Sequence, residues 1–206
     1  MEENMSEFIF IEHLCKSYRD KQVLKDLSFS IPIGQITAVM APSGVGKTTL
    51  LRILMGLEEP DSGSIRGLSG LRLSAVFQED RLCANLSPVS NIRLVTGPAV
   101  SREEILLALK QTGLADCAGQ PVRELSGGQR RRVALLRALL ASWDFLLLDE
   151  PFKGLDVQTR QEIMDYVRSS FQRIPGRTAL LVTHDEAEAS CLAQTVFRLP
   201  SPDSSC

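Results

Sequence analysis

The 206-residue sequence has no excess of basic charge: 23 Lys and Arg stand against 25 Asp and Glu, giving a formal charge of −2 and a pI near 5.8. Charge therefore gives no support to non-specific nucleic-acid binding, and no nucleic-acid partner is expected. No apolar run approaches the roughly 18 to 20 residues that cross a bilayer. The start, Met1-Glu2-Glu3-Asn4, lacks the cationic and apolar regions of a secretory signal. A soluble cytoplasmic chain is expected, with any membrane role coming through a partner. The cysteines (Cys15, Cys83, Cys117, Cys191 and Cys206) are scattered, odd in number and free of CxxC spacing, and the only histidines are His13 and His184. That argues against both a disulfide framework and a structural zinc site. Internal repeats and low-complexity segments are also missing.

What is present is an alternation of strand and helix patterns, in a length that suits one well-cored domain. Glu7 to His13, Leu24 to Ile31 and Gln35 to Met40 read as strands, with Pro32-Ile33-Gly34 a tight connection. Leu50, Leu51, Ile53 and Leu54 form a helical stripe stopped near Gly56, Pro60 to Gly63 reads as a turn, and Leu71 to Gln78 as a strand. Residues 80–142 change character. Ser101-Arg102-Glu103-Glu104 is a capping box opening a helix that ends at Gly113, and a second helix runs from about Gln129 to Ser142. Phe145 to Leu148 is a continuous apolar run of the kind buried on both faces of a parallel sheet. Val157 to Phe171 is a helix and Thr178 to Thr183 another buried strand. These patterns predict an α/β fold: a mostly parallel core from 1–79 and 143–199 with antiparallel N-terminal strands, a helical lobe inserted at 80–142, and a polar tail at 200–206.

Ala41-Pro42-Ser43-Gly44-Val45-Gly46-Lys47-Thr48-Thr49 lies between a predicted strand and a predicted helix, the context a phosphate-binding P-loop requires. Gly44 and Gly46 let backbone N–H groups converge on phosphate oxygens, and the following helix adds its N-terminal partial charge. Lys47 reaches the terminal phosphates of a nucleoside triphosphate, and the Thr48 hydroxyl is placed to ligate Mg²⁺. The usual first glycine of this motif is Ala41 here. Its cost is small if φ at that position is negative and about 1 to 2 kcal/mol if φ is positive. Asp149 and Glu150 follow the apolar strand, where open parallel sheets place their ligand crevice. The first suits the surroundings of Mg²⁺ and the second suits orienting an attacking water.

Leu125-Ser126-Gly127-Gly128-Gln129, just before a helix, is a second anion cradle, and a single triphosphate does not need two from the same chain. The pentapeptide resembles the signature of the ATP-binding-cassette (ABC) family, and it lies between P-loop and acidic strand end in that family's order. The resemblance covers the chain from Tyr18 to about Arg198. It implies that Tyr18 stacks on adenine, although an ordinary turn tyrosine is the alternative. It implies that Gln78 reaches Mg²⁺ or the attacking water, and that Pro151 to Asp156 is the D-loop passing between subunits. Asp156 also reads as a plain helix N-cap. His184, after the third buried strand, matches the switch histidine at the γ-phosphate. Arg130-Arg131-Arg132 reads as a solvated helix face.

The resemblance further implies an ATPase using ATP and Mg²⁺ in which Ser126, Gly127, Gly128 and Gln129 of one subunit close over ATP held by the other. A head-to-tail pair with itself or a homologous cassette is therefore expected. Three outputs compete. A transport subunit on the inner face of the membrane would work with integral permease subunits and, through them, an extracytoplasmic binding protein. A soluble non-transport ABC ATPase usually joins two cassettes or carries a long coiled coil, and neither is present. A degenerate cassette that binds without turnover is opposed by the intact Lys47, Glu150 and His184. Val76 to Leu94 and Thr183 to Ala189 are similar to the nitrate/sulfonate/taurine importer group. Leu82, Leu86, Val89 and Ile92 lie where such proteins receive a permease, and equally fit a lobe core. The ending soon after His184 leaves no expected room for an appended regulatory domain.

Overall fold

The structure, a computed structural model, describes residues 7–19, 21–41 and 45–199. Strands β1 (Phe8–Tyr18), β2 (Lys21–Pro32) and β4 (Ser62–Arg66) form an antiparallel sheet in the order β2-β1-β4. A second sheet, entirely parallel, has the order β5-β6-β7-β3-β8, with β3 Ile36–Met40, β5 Leu73–Val76, β6 Phe145–Asp149, β7 Thr178–Thr183 and β8 Thr195–Arg198. β3, β6 and β7 are buried along their whole lengths, which is why their apolar runs do not alternate.

Helices cover both faces of this sheet. One core cluster joins the antiparallel sheet to α1 (Lys47–Leu54) and one face of the parallel sheet, through Ile9, Ile11, Leu50, Leu54, Phe145 and Leu147. On the other face, Leu135 and Leu139 of α4 (Gly127–Leu140) and Ile163 and Val167 of α5 (Val157–Gln172) pack against Leu146, Leu148 and Leu181. A third cluster lies within residues 89–136, where α2 (Pro88–Thr96) and α3 (Arg102–Gln111) meet the opposite side of α4 through Ile92, Ile105, Leu109, Val133 and Leu136. α4 therefore belongs to two cores at once. The short α6 (Glu186–Leu192) leads into the edge strand β8.

The differences from the pattern reading have local causes. β1 continues past His13 to Tyr18, and the continuation does not read as strand because His13 (φ 52) and Asp26 (φ 46) break the regular alternation and the pairing register shifts between Ile11 and Leu14. The segment read as a turn enters β4 at Ser62, whose Ser-Gly-Ser start carries no strand signal. Gly63 is there for space: at φ +96, a Cβ on it would meet the His13 carbonyl oxygen at 2.5 Å. Of the apolar residues after Gln78, Val89 and Ile92 are lobe core and Leu82 packs on it, while Leu86 stays at the surface. The residues read as a tail, 200–206, lie outside the described residues.

Gly63→Ala should lower stability by about 2 kcal/mol or more, since strain at positive φ adds to a backbone clash. Urea unfolding of the parent and variant measures the difference.

Candidate functional site

The described phosphate-loop residues meet the acidic strand end at the carboxyl edge of the parallel sheet. Pro42, Ser43 and Gly44 lie outside the described residues. Ala41 is buried at the end of β3, and its carbonyl accepts a hydrogen bond from Lys47 Nζ at 2.7 Å. The non-glycine residues at positive φ among the described ones are His13, Arg19, Asp26, Arg81 and Glu150. Ala41 is outside that group, so an alanine there carries no left-handed strain. Gly46 sits at φ +88, where a Cβ would meet Val23 O at 2.8 Å, so the loop is tied against β2 as only glycine allows. It caps α1 without a side chain, which leaves the first N–H groups of α1 open to an anion. Val45 and Thr49 are buried beside it.

Lys47 itself is 7% exposed, with Nζ 3.5 Å from Glu150 Oε1. The Thr48 hydroxyl donates to Asp149 Oδ2 at 3.1 Å. Burial pushes the Asp149 carboxyl above its ordinary value, and the neighbouring Glu150 adds to the shift. A cation at this point would offset that burden. Among the described residues no three His, Cys, Asp or Glu side chains gather into a metal cage. A hydroxyl and one carboxylate are instead the hard oxygen donors that suit Mg²⁺ carried in with substrate phosphates.

Glu150 follows Asp149 at φ 45, a backbone turn that costs about 1 to 3 kcal/mol in a non-glycine residue. Its N–H donates to Val182 O at 2.9 Å, which holds the turn to β7. The carboxylate receives His184 Nδ1 at 3.2 Å on Oε1 and Lys153 Nζ at 3.2 Å from Oε2. Burial alone would raise this acid, but Lys153, Lys47 and His184 outweigh it and hold the group below its usual range. Gln78 and Tyr18 complete an open hollow of about 400 Å³ with these residues. The Tyr18 ring is 44% exposed at the end of β1, and its hydroxyl interacts with Glu58 and Thr49.

Ser126 to Gln129 do not line this hollow. Ser126 Oγ accepts from Gln129 N at 3.2 Å and Gln129 Oε1 accepts from Ser126 N at 2.8 Å, a closed capping box at the start of α4. The N–H groups of Gly127 and Gly128, in the first turn beyond the cap, are the ones a helix leaves without intrahelical partners. Asp156 is an N-cap as well, accepting from Thr159 N at 2.9 Å.

The solvated reading of Arg130 to Arg132 is overturned at its centre. Arg131 is 4% exposed. It donates to the carbonyls of Pro151 (3.0 Å), Asp149 (2.8 Å), Glu150 (2.6 Å), Phe77 (2.5 Å) and Gln78 (3.3 Å), and to Asp80 Oδ1 (3.2 Å). Arg130 and Arg132 are half-buried and donate to Leu125 O, Gly128 O and Thr112 O. A run of three arginines looks solvated because charge alone does not reveal that carbonyls from two strand ends converge on the middle one. The helical stripe of α4 is the available signal: Arg131 stands one turn before Leu135 and two before Leu139, on the same buried face.

Residues 24–153 match the family model described as ABC transporter. The aliphatic sulfonates import ATP-binding protein SsuB 1 of Rhodococcus jostii is 45% identical over 186 residues, covering 88% of this chain and 75% of the relative. The chain belongs to the ABC transporter family. The sulfate/thiosulfate import ATP-binding protein CysA of Escherichia coli is 40% identical over 91% of this cassette, which spans 56% of that protein's length. An ATP-binding cassette solved as a dimer in a post-hydrolysis state, bound to ADP and Pi, superposes with a TM-score of 0.81 at 27% identity, covering 93% of this chain and 94% of that one. The cassette is thus an ATP-binding ATPase of this family. No helix among its described residues is long and apolar enough to cross a membrane.

Arg131→Lys should lower kcat at least about tenfold with a smaller change in KM, because a single ammonium cannot span the carbonyls that the planar fork joins. Steady-state ATPase kinetics on the folded variant measure the split.

Proposed function

We propose that the chain is the ATP-hydrolysing subunit of a bacterial ABC importer, acting on the inner face of the membrane as one half of a head-to-tail pair. One observation carries this reading. Lys47, Thr48, Asp149, Glu150 and Gln78 converge on a single hollow, while the second anion cradle of the same chain, Ser126 to Gln129, lies elsewhere. A cradle with no use at its own site suits the ATP of a partner. The dimeric relative with ADP and Pi supports the pairing, and the import relatives support the direction of transport.

In the proposed reaction Tyr18 stacks on adenine and the N–H groups at the start of α1 hold the phosphates with Lys47. Thr48, Asp149 and Gln78 would hold Mg²⁺, which when bound supplies positive charge to the phosphate oxygens. Glu150, kept ionised, orients a water. The water oxygen bonds to the γ-phosphorus, the bond from that phosphorus to the bridging oxygen breaks, and ADP leaves with the bond's electrons. The proton lost by the water passes to Glu150 or to the released phosphate. His184, 61% exposed on its side chain, would turn from Glu150 to donate a hydrogen bond at the phosphate. Asp185 positions it by capping α6 and pairing with Arg160 at 2.7 Å. Closure of the pair excludes water, and loss of the shared γ-phosphate reopens it.

The lobe of residues 80–142 is the proposed seat of the permease. Leu86, Val89, Ser90, Arg93, Leu94 and Arg102 line an open hollow of about 330 Å³, and the exposed Leu94 and Val95 flank it. An extracytoplasmic binding protein would act through that permease.

Glu150→Gln should retain ATP binding, form an ATP-dependent dimer on size exclusion and lose at least about a hundredfold in turnover. Turnover near the parent's would remove Glu150 from the mechanism. Lys47→Ala should weaken ATP binding by at least about tenfold, and an unchanged affinity would sink the phosphate-site reading.

A further inference from the structure

Glu150 is surrounded by more positive charge than one carboxylate needs. Lys47 Nζ and His184 Nδ1 approach Oε1 at 3.5 and 3.2 Å, and Lys153 Nζ approaches Oε2 at 3.2 Å. The proposed mechanism turns the first two toward the γ-phosphate. We propose that Lys153 is a further phosphate-binding residue of the ATPase site, whose ammonium leaves Glu150 for the γ-phosphate when ATP is bound. The assignment rests on the reading of the hollow as the ATP site.

Position is the first support. Lys153 lines the hollow that holds Lys47, Thr48 and Asp149, and it also lines a smaller hollow of about 180 Å³ shared with His184. It stands where the two meet, beside the carboxylate that all three bases surround. The nature of its present contact is the second. Glu150 Oε2 is buried and makes no hydrogen bond of good geometry, so the approach of Lys153 is an ion pair without a directed bond. The Lys153 side chain is 56% exposed and the Glu150 side chain 10%, which makes the lysine the movable partner. Phe152, 1% exposed, anchors the turn beneath it. The exposed four-carbon stem of Lys153 can therefore turn about its own bonds while that backbone stays in place.

Charge decides which anion keeps the ammonium. A single carboxylate charge is shared among three bases, whereas a terminal phosphate brings more charge and three acceptor oxygens to the same place. The exchange has a chemical consequence: once Lys153 has moved, Glu150 Oε2 is released to receive a hydrogen bond from the water. In the free subunit that oxygen faces an ammonium, so the base is fully available only when a γ-phosphate is present. A plain surface Lys–Glu pair three residues apart would instead contribute little and would not distinguish one nucleotide from another.

The test measures binding of Mg-ADP and of a non-hydrolysable β,γ-imido analogue of ATP to the full chain, as the parent, Lys153→Met and Lys153→Arg. Lys153→Met should weaken the analogue about five- to tenfold, the scale of one charged hydrogen bond, and change ADP less than about twofold. Lys153→Arg should recover most of the loss, and thermal unfolding should stay at the parent's value because the side chain is exposed. In a Glu150→Gln background the loss from Lys153→Met should grow, since the competing carboxylate is gone; a smaller loss there would overturn the exchange. Equal analogue affinity in parent and Lys153→Met, or an equal loss for both nucleotides, would also overturn the assignment. A parent that bound neither nucleotide would remove the site and the assignment together, whereas normal parent binding beside an unmoved Lys153→Met removes Lys153 alone.

Discussion

A guanidinium taken out of water needs an acceptor for each of its N–H groups, and Arg131 finds them on two strand ends at once. Its partners are the carbonyls of Phe77 and Gln78 after β5, that of Asp149 at the last residue of β6, and those of Glu150 and Pro151 beyond it. These segments carry the proposed water-orienting and metal-holding groups, and the helix that carries Arg131 begins at the second anion cradle. A shift of α4 against the sheet therefore has to break bonds to a buried cation or carry both strand ends with it. Breaking such an arrangement by removing one partner costs on the order of 3 to 5 kcal/mol. α4 also packs into two of the hydrophobic clusters, through Leu135 and Leu139 on one side and Val133 and Leu136 on the other.

Above that line the carboxyl edge of the parallel sheet gathers charge of both signs. Asp149 is buried, which holds its carboxyl above the ordinary value, a shift that a cation beside Thr48 would oppose. Glu150 has the opposite balance, with three bases close enough to outweigh its burial. The two adjacent carboxyls thus have different electrostatic surroundings, set by which bases reach them. This follows from geometry: Glu150 turns out of the strand at positive φ toward Lys47, Lys153 and His184, whereas Asp149 stays in register with Val182 on β7. Neighbouring acids with separated environments are how one site assigns different tasks to the same functional group.

Much of this is legible in the sequence itself. The fully buried strands β3, β6 and β7 announce themselves as unbroken apolar runs, and α3, α4 and α5 by caps and periodicity. The phosphate loop, acidic strand end and signature are short motifs whose order carries the family, so the elements bearing them were placed within a few residues. β4 escaped because Ser62-Gly63-Ser64 is selected for close backbone approach to β1 and not for strand propensity. The extension of β1 to Tyr18 was hidden by an irregular register around His13 that destroys the period of two. Arg131 was misjudged for a related reason. Its environment is made by backbone carbonyls of residues far away in sequence, and backbone acceptors leave no mark on composition.

The turn from Phe152 to Asp156 explains how an event at the phosphate end can be felt at the surface. Lys153 faces the nucleotide hollow, and two residues later Leu155 lies so near the signature that a Cβ on Gly128 would meet its Cδ2 at 3.4 Å. Asp156 then fixes the start of α5 by accepting from Thr159. On the proposed reading, one end of the turn would meet the γ-phosphate and the other abuts the cradle that a second chain would use. Between them only Gly154 intervenes, at φ +79. The proposed phosphate site and the proposed pairing surface of one subunit are therefore neighbours through a single tight turn.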